Sequence, residues 1–149
     1  MRRKKVILLD LNKTLAEKVE CDFKTFTYNV QGDVYSKALS DALMRGFEIH
    51  LITARTDNYR EETLAKIERD TGLKIDFAVF KPYQKRFQKV HEFKREYVER
   101  LLASGEYDVD DFIAIESNFK TQMEYKKLGI RSVYTRASFL EMLGTQVGW

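Results

Sequence analysis

Three apolar segments of this sequence end in side chains that could bind a metal ion and a phosphate group. Asp10 follows the apolar run 6–9, Thr53 follows a second run, and Glu116 and Ser117 end a later one. Carboxylates from two of these segments, brought together, would form a site for a hard cation such as Mg²⁺. A hydroxyl, backbone amides and a lysine beside them would bind phosphate. Asp10 is then a candidate nucleophile, because carboxylates can form aspartyl-phosphate intermediates.

Alternating strands and helices are expected to bring these side chains to one edge of a sheet. The unbroken apolar run 6–9 is typical of a central strand that is buried on both faces. Further patterns predict strands at 47–52, 75–80, 111–116 and 130–134, and helices at 36–45, 57–72, 91–103, 120–128 and 139–143. This alternation predicts an α/β fold, a Rossmann-like three-layer sandwich around a parallel sheet of about five strands. Open α/β sheets bind their ligands at the carboxyl ends of the strands.

The segment 17–35 is predicted to form a small β flap after the first strand, because it is rich in β-forming residues and contains a glycine turn at 31–33. Its aromatic side chains are Phe23, Phe26, Tyr28 and Tyr35. These rings either close over a substrate or pack the flap onto the sheet, and both interpretations remain open. Ser36 is the predicted N-cap of the first helix and Asp57 that of the second.

Length and composition favour one soluble domain over 1–149. The 149 residues are enough to bury a substantial core, and the formal net charge of +3 is too small to indicate a nucleic-acid partner by itself. The single cysteine, Cys21, excludes an intrachain disulfide. No apolar run approaches the roughly 20 residues of a membrane span, and the first run breaks at Asp10, too early for a signal peptide. We therefore expect a cytoplasmic protein without a membrane partner.

Four motifs, in order along the chain, resemble those of the haloacid dehalogenase-like phosphatase superfamily. Residues 10–14, Asp-Leu-Asn-Lys-Thr, resemble the first motif, Asp-x-Asp-x-Thr. Residues 51–55 resemble the second, an apolar strand that ends in Thr or Ser. Lys94 corresponds to the lysine of the third, and 113–118, Ile-Ala-Ile-Glu-Ser-Asn, to the acidic strand end of the fourth. The four motifs span nearly the whole chain.

The resemblance implies a role for each matching residue and a Mg²⁺ cofactor. Asp10 would be the nucleophile and a metal ligand, and residue 12 would offer its backbone carbonyl to Mg²⁺. The side chain at residue 12 would be the general acid and base. Thr53 would bind the transferring phosphoryl group, and Lys94 would offset its charge. Glu116, with Ser117 beside it, would complete the metal site.

Two positions depart from the family pattern. Residue 12 is Asn, and an amide has no proton to give, so general acid–base catalysis worth about 10²–10⁴-fold is lost. Ser117 stands where members usually carry an acid, and fewer carboxylates should weaken Mg²⁺ binding. Both residues are either native, in a degenerate or repurposed member, or introduced to inactivate an enzyme. A third interpretation is that Asn12 simply suits the turn after the strand.

The gaps between the motifs leave no room for a large cap domain, so the resemblance implies an open site. Capless members often act on polymer ends, and polynucleotide 3′-phosphatase domains are the nearest relatives we would name. The basic loop 81–89 fits such substrates, because its cations alternate with Tyr83 and Phe87. It is equally explained as a solvated loop. The predicted substrate-binding residues are Thr14, Arg55, Lys81, Lys85 and Arg86.

Two functions follow from these observations. The first is a Mg²⁺-dependent phosphohydrolase that uses an aspartyl-phosphate at Asp10. Its partner would be a phosphorylated substrate, a nucleotide or a nucleic-acid end, and its activity would be impaired by Asn12. The alternative is a catalytically degenerate protein of the same fold that binds a phosphate-bearing or protein partner.

Overall fold

The structure is a computed structural model that describes residues 5–134 and 136–145. In chain order its strands are β1 (Val6–Leu9), β2 (Ala16–Lys18), β3 (Cys21–Asp22), β4 (Thr27–Tyr28), β5 (Val34–Tyr35), β6 (Glu48–Thr56), β7 (Phe77–Lys81), β8 (Phe112–Ile115) and β9 (Arg131–Val133). Its helices are α1 (Lys37–Leu43), α2 (Arg60–Thr71), α3 (Val90–Ala103), α4 (Phe119–Lys127) and α5 (Arg136–Thr145). Within these residues no helix is both long and apolar enough to cross a bilayer.

Five strands of the described chain form one parallel sheet in the order β7-β6-β1-β8-β9. The run Val6–Leu9 is completely buried, as predicted for a central strand. Alternate residues of β1 enter two different hydrophobic layers, since Ile7 packs with residues of α1, α2 and α5, whereas Leu8 packs with residues of α3 and α4. The predicted Rossmann-like three-layer sandwich is therefore confirmed.

The strand order places a crevice beside β1. From β1 the chain continues to β6 and β7 on one side of the sheet and later to β8 and β9 on the other. The order reverses between β1 and β8, and a reversal of this kind opens a cleft at the carboxyl ends of the two strands. Asp10 and Glu116 directly follow these strands, with Asp10 N donating to Ile115 O at 3.0 Å. The topology alone thus brings the two carboxylates together.

The predicted flap is present, but it consists of two short antiparallel ladders. β2 pairs with β5 at its base, and β3 pairs with β4 further out. The chain then enters α1 at Ser36, whose Oγ accepts from Leu39 N at 3.2 Å, as the predicted N-cap requires.

Several predicted boundaries are wrong, including those of the last helix, which begins at Arg136 instead of residue 139, and those at the end of β6. β6 continues to Thr56 instead of ending at residue 52, because β7 pairs with it beyond a bulge between Thr53 and Thr56. Asp57 does not cap α2, since a 3₁₀ turn over Asp57–Tyr59 comes first. The Asp57 carboxylate instead accepts from Tyr83 N at 3.1 Å, which attaches the basic loop to the end of β6.

Candidate active site

A buried lysine joins the two carboxylates at the switch point. Lys94, on α3, donates from Nζ to Asp10 Oδ1 at 2.9 Å and to the two oxygens of Glu116 at 3.0 and 3.1 Å. The side chains of Lys94 and Glu116 are each 2% exposed. Two carboxylates this close would repel each other in a buried setting, so the ammonium between them is what allows the arrangement.

The electrostatics of this triad raise the pKa values of Lys94 and Glu116. Burial by itself would lower the pKa of Lys94, but the carboxylates of Asp10 and Glu116 outweigh it and raise the pKa to about 12. Burial raises the pKa of Glu116 to about 8, against the opposing effect of Lys94 and with a further rise from Asp10. Lys94 therefore stays charged at neutral pH, while Glu116 holds its proton well above the usual range.

We expect the raised pKa of Glu116 to make folding stability depend on pH. Between about 4.5 and about 8 the folded chain holds a proton that the unfolded chain releases. The free energy of unfolding should therefore fall as the pH rises through this window, by at most about 1.4 kcal/mol per pH unit. In Glu116→Gln that decline should vanish in urea unfolding at pH 5, 6, 7 and 8. Equal slopes in the two proteins would contradict the assignment.

Hydroxyl groups hold the other oxygen of Asp10. Thr14 Oγ1 donates to Oδ2 at 2.9 Å, and Ser117 Oγ donates to the same oxygen at 3.0 Å. Thr14 is 2% exposed, so the structure places it underneath Asp10 and not in the predicted substrate contact. Ser117, predicted beside the metal, is in this structure a hydrogen-bond donor to the carboxylate.

Arg55 lies behind the site in a buried ion pair. Its side chain is 0% exposed, and its Nη1 and Nη2 donate to Asp33 Oδ2 and Oδ1 at 2.8 and 3.2 Å. Nη2 also donates to Asn12 Oδ1 at 3.1 Å, and the guanidinium lies 4.7 Å from the ring centroid of Tyr28. The predicted direct substrate contact of Arg55 is thus replaced by contacts that hold Asn12 and the flap.

Sequence reasoning missed Asp33, which it treated only as part of the glycine turn at 31–33. Asp33 directly precedes β5 of the flap and is 3% exposed. Besides Arg55, its Oδ2 accepts from Tyr35 Oη at 3.0 Å. A turn aspartate carries no signal in the sequence for a partner 22 residues away, so only the fold reveals this pair.

Thr53 lies at the wall of the cleft, within β6 and not at a strand end as its motif predicts. It is 1% exposed, and its Oγ1 accepts from Arg55 N at 3.1 Å. In this contact the Thr53 hydroxyl is the acceptor, so its own hydrogen is not used. That hydrogen can be donated to a phosphoryl oxygen.

The basic loop 81–89 forms another wall of the cleft. Its three predicted binding residues, Lys81, Lys85 and Arg86, differ in whether they reach the cleft. Lys81 is buried, and its Nζ donates to the carbonyls of Arg86 and Gln88, so it holds the loop in place. Burial lowers the pKa of Lys81. Arg86 lines the cleft, whereas Lys85 is exposed and lies outside the lining.

One cleft of about 560 Å³ lies between the strand ends, the flap and the basic loop. Asp10, Thr53, Lys94 and Glu116 lie at its polar end, and flap and loop residues supply its other walls. Across the part of the chain that the structure describes, no three His, Cys, Asp or Glu side chains cluster to hold a metal. Asp10 and Glu116 still fit Mg²⁺, which usually binds through one or two carboxylates and takes its other ligands from water and substrate phosphate.

No family model matches this chain, and no curated protein matches it either. Among solved structures, a chain of the Pnkp1/Rnl/Hen1 RNA repair complex aligns with a TM-score of 0.63 and 18% identity over 87% of this chain. This chain spans only 41% of that one. An apo phosphoserine phosphatase aligns with a TM-score of 0.59 and 15% identity, covering 96% of this chain and 99% of its own.

The chain has a haloacid dehalogenase-like fold. The resemblance carried by the four motifs is thereby confirmed for the architecture of the protein. An uncharacterised protein from Listeria monocytogenes serotype 4b is also similar, with a TM-score of 0.63 and 13% identity over 93% of this chain and 96% of that one. At these identities the haloacid dehalogenase-like architecture is shared, and the chemistry has to be argued from the residues of this chain.

Proposed function

We propose that this protein is a phosphohydrolase that uses Asp10 as its nucleophile and Mg²⁺ as its cofactor. The observation that carries the proposal is the fixed orientation of the Asp10 carboxylate. One oxygen accepts from Lys94 and the other from Thr14 and Ser117, at the floor of an open cleft. A carboxylate held this way presents its remaining lone pairs to a bound phosphate.

The chemistry assigned to the residues of this chain is a two-step displacement. An oxygen of Asp10 attacks the phosphorus, the bond between phosphorus and the ester oxygen breaks, and the leaving oxygen departs with the electron pair. Thr53 donates a hydrogen bond from its hydroxyl group to a phosphoryl oxygen, and Lys94 balances the negative charge around Asp10. A water molecule then hydrolyses the aspartyl-phosphate and regenerates the carboxylate.

A bound Mg²⁺ would be held by Asp10 and Glu116, with the backbone carbonyl of Asn12 that the resemblance implies, and would neutralise charge on the phosphate. Asn12 has no proton for the leaving oxygen, so that proton must come from water. We therefore assign a low turnover to the chain as it stands.

The proposed substrate is a phosphorylated nucleotide or nucleic-acid end. Arg86, Lys81 and Lys89 line the cleft together with aromatic rings, so one substrate could contact cations and rings at once. The similarity to a chain from an RNA repair complex supports this choice at the level of the fold.

Replacing Asp10 with Asn should reduce phosphate release to background, because an amide does not attack phosphorus. The measurement uses an aryl phosphate and a 3′-phosphorylated oligonucleotide, each with Mg²⁺ and with a chelator, in the unaltered chain and in Asn12→Asp. Asp41→Asn, an exposed aspartate paired with Lys37, is the matched control and should keep full turnover. Unchanged release in Asp10→Asn would overturn the proposal.

The second candidate function is phosphate binding without turnover. It is favoured by the contacts of Asn12, whose amide oxygen accepts from Arg55 and so has a structural partner of its own. This function predicts measurable affinity for a phosphorylated oligonucleotide and no phosphate release, even in Asn12→Asp.

A further inference from the structure

Large phenyl rings are exposed at the mouth of the cleft. Phe23 on the flap is 70% exposed and Phe87 on the basic loop is 76% exposed. Both line the same cleft as Asp10. Exposed apolar side chains grouped around a cleft are typical of ligand-binding surfaces, and these rings contribute little to the core.

Two of the rings meet between the flap and the basic loop. The ring centroids of Phe26 and Phe87 are 5.4 Å apart, with an interplanar angle of 84°. Phe26 has a φ of 55°, a left-handed conformation that is uncommon for a bulky side chain. The flap therefore adopts an unfavourable backbone conformation at the residue whose ring contacts the loop. The edge-on contact leaves most of Phe87 open.

Positive charge surrounds this ring pair. The Arg86 guanidinium lies 4.8 Å from the ring centroid of Phe87 and 4.3 Å from that of Tyr83. The Lys81 ammonium is buried below the loop, where its partners are backbone carbonyls. Lys81 therefore holds the loop that carries Arg86 and Phe87, and Arg86 is the cation beside the rings. An aromatic ring can stack on a base, and a neighbouring cation can bind the adjoining phosphate. This arrangement therefore suits a nucleotide.

We propose that the face of Phe87, bordered by Phe26, is a stacking site for one unpaired nucleobase next to the phosphate that Asp10 attacks. This rests on the proposed function and deepens it, since it selects nucleotides and single-stranded ends over sugar or glycerol phosphates. A base within a duplex already stacks on its neighbours and offers no free face. Phe87 and Phe26 thus determine specificity, while Asp10, Lys94 and Thr53 act on the phosphate.

Equilibrium binding tests this assignment without any need for turnover. The probes are fluorescein-labelled single strands of about six nucleotides, within the usual site size of such grooves, with a phosphate at the 3′ or at the 5′ end. Each has a matched strand whose phosphate-bearing nucleotide lacks its base. Phe87→Ala should weaken binding of the intact strands about 5- to 150-fold, the range that stacking of one base supplies. It should leave binding of the abasic strands unchanged.

Two further variants make the comparison specific. Phe87→Trp keeps a stacking surface and should restore binding of the intact strands. Phe119→Ala removes another exposed phenyl ring, 62% exposed and outside the cleft lining, and should change nothing. Equal weakening of intact and abasic strands in Phe87→Ala, or no weakening of either, would overturn the stacking site.

Phosphate release separates this inference from the proposed function. In one outcome, Asn12→Asp with Mg²⁺ hydrolyses neither glycerol phosphate nor the strands, but binding still depends on the base and on Phe87. The proposal of a phosphohydrolase is then wrong, and the stacking site is supported. If Asn12→Asp hydrolyses glycerol phosphate and nucleotides equally well, and Phe87→Ala alters neither, the stacking site fails and the phosphohydrolase stands.

Discussion

Asn12→Asp is expected to raise phosphate release about 10²- to 10⁴-fold, the usual contribution of a general acid and base. The new carboxyl group would protonate the leaving oxygen and then accept a proton from the water that attacks the aspartyl-phosphate. The scaffold for this role is already present, because Asp10 is oriented and Thr53 lines the cleft. The measurement is steady-state release from an aryl phosphate with Mg²⁺.

The neighbours of residue 12 also predict how that activity depends on pH. Arg55 Nη2 lies 3.1 Å from Asn12 Oδ1, so its guanidinium would favour the ionised form of a carboxyl group at this position. Turnover limited by leaving-group protonation should then increase toward acidic pH. Asn12→Ala is the control, since it removes the contact with Arg55 without adding an acid. If the Asn12→Asp variant were no faster than Asn12→Ala at any pH, the missing acid would not be what limits the site.

Lys94→Met should produce the largest loss of stability. Removing the ammonium leaves Asp10 and Glu116 buried beside each other, and breaking such a pair lowers the free energy of unfolding by about 3–5 kcal/mol. Phosphate release should disappear as well, because Asp10, the proposed nucleophile, loses the cation that orients it. Lys120→Met, at an exposed position on α4, should keep a free energy of unfolding within about 0.5 kcal/mol of that of the unaltered chain.

A double-mutant cycle makes this prediction specific to the triad. Glu116→Gln removes one of the two carboxylates that Lys94 contacts, so Lys94→Met combined with Glu116→Gln should lose less stability than the two changes summed. The double variant also provides a folded protein if Lys94→Met alone is too unstable to purify. Additive losses in urea unfolding would mean that Lys94 stabilises the fold through its packing only.

Local sequence patterns were sufficient for the architecture. The apolar run of β1, the spacing of strands and helices, and the Ser36 cap are each decided by a few neighbouring residues. Parallel strands then share one carboxyl edge, so Asp10 and Glu116 could be placed together from the strand ends alone. Lys94 was matched to the third motif from the sequence, and the structure places its ammonium against Asp10.

Sequence reasoning was less successful where a contact joins distant segments. The extent of β6 depends on its pairing with β7, and the partner of Asp57 is an amide of the basic loop. Arg55 was predicted to bind substrate because its motif places it near the carboxyl end of a strand. Spacing does not show whether that side chain turns into the cleft or behind it.

The sequence by itself determined the sheet and the edge of the sheet that carries Asp10 and Glu116, because periodicity and strand ends are local properties. Only the tertiary structure decided what each polar group contacts. It turned Thr14 beneath Asp10, paired Arg55 with Asp33, and placed Phe26 of the flap against Phe87 of the loop. The physical reason is that a buried charge or an exposed ring interacts with the groups that the folded chain brings within a few ångströms of it. These groups can be far away in the sequence.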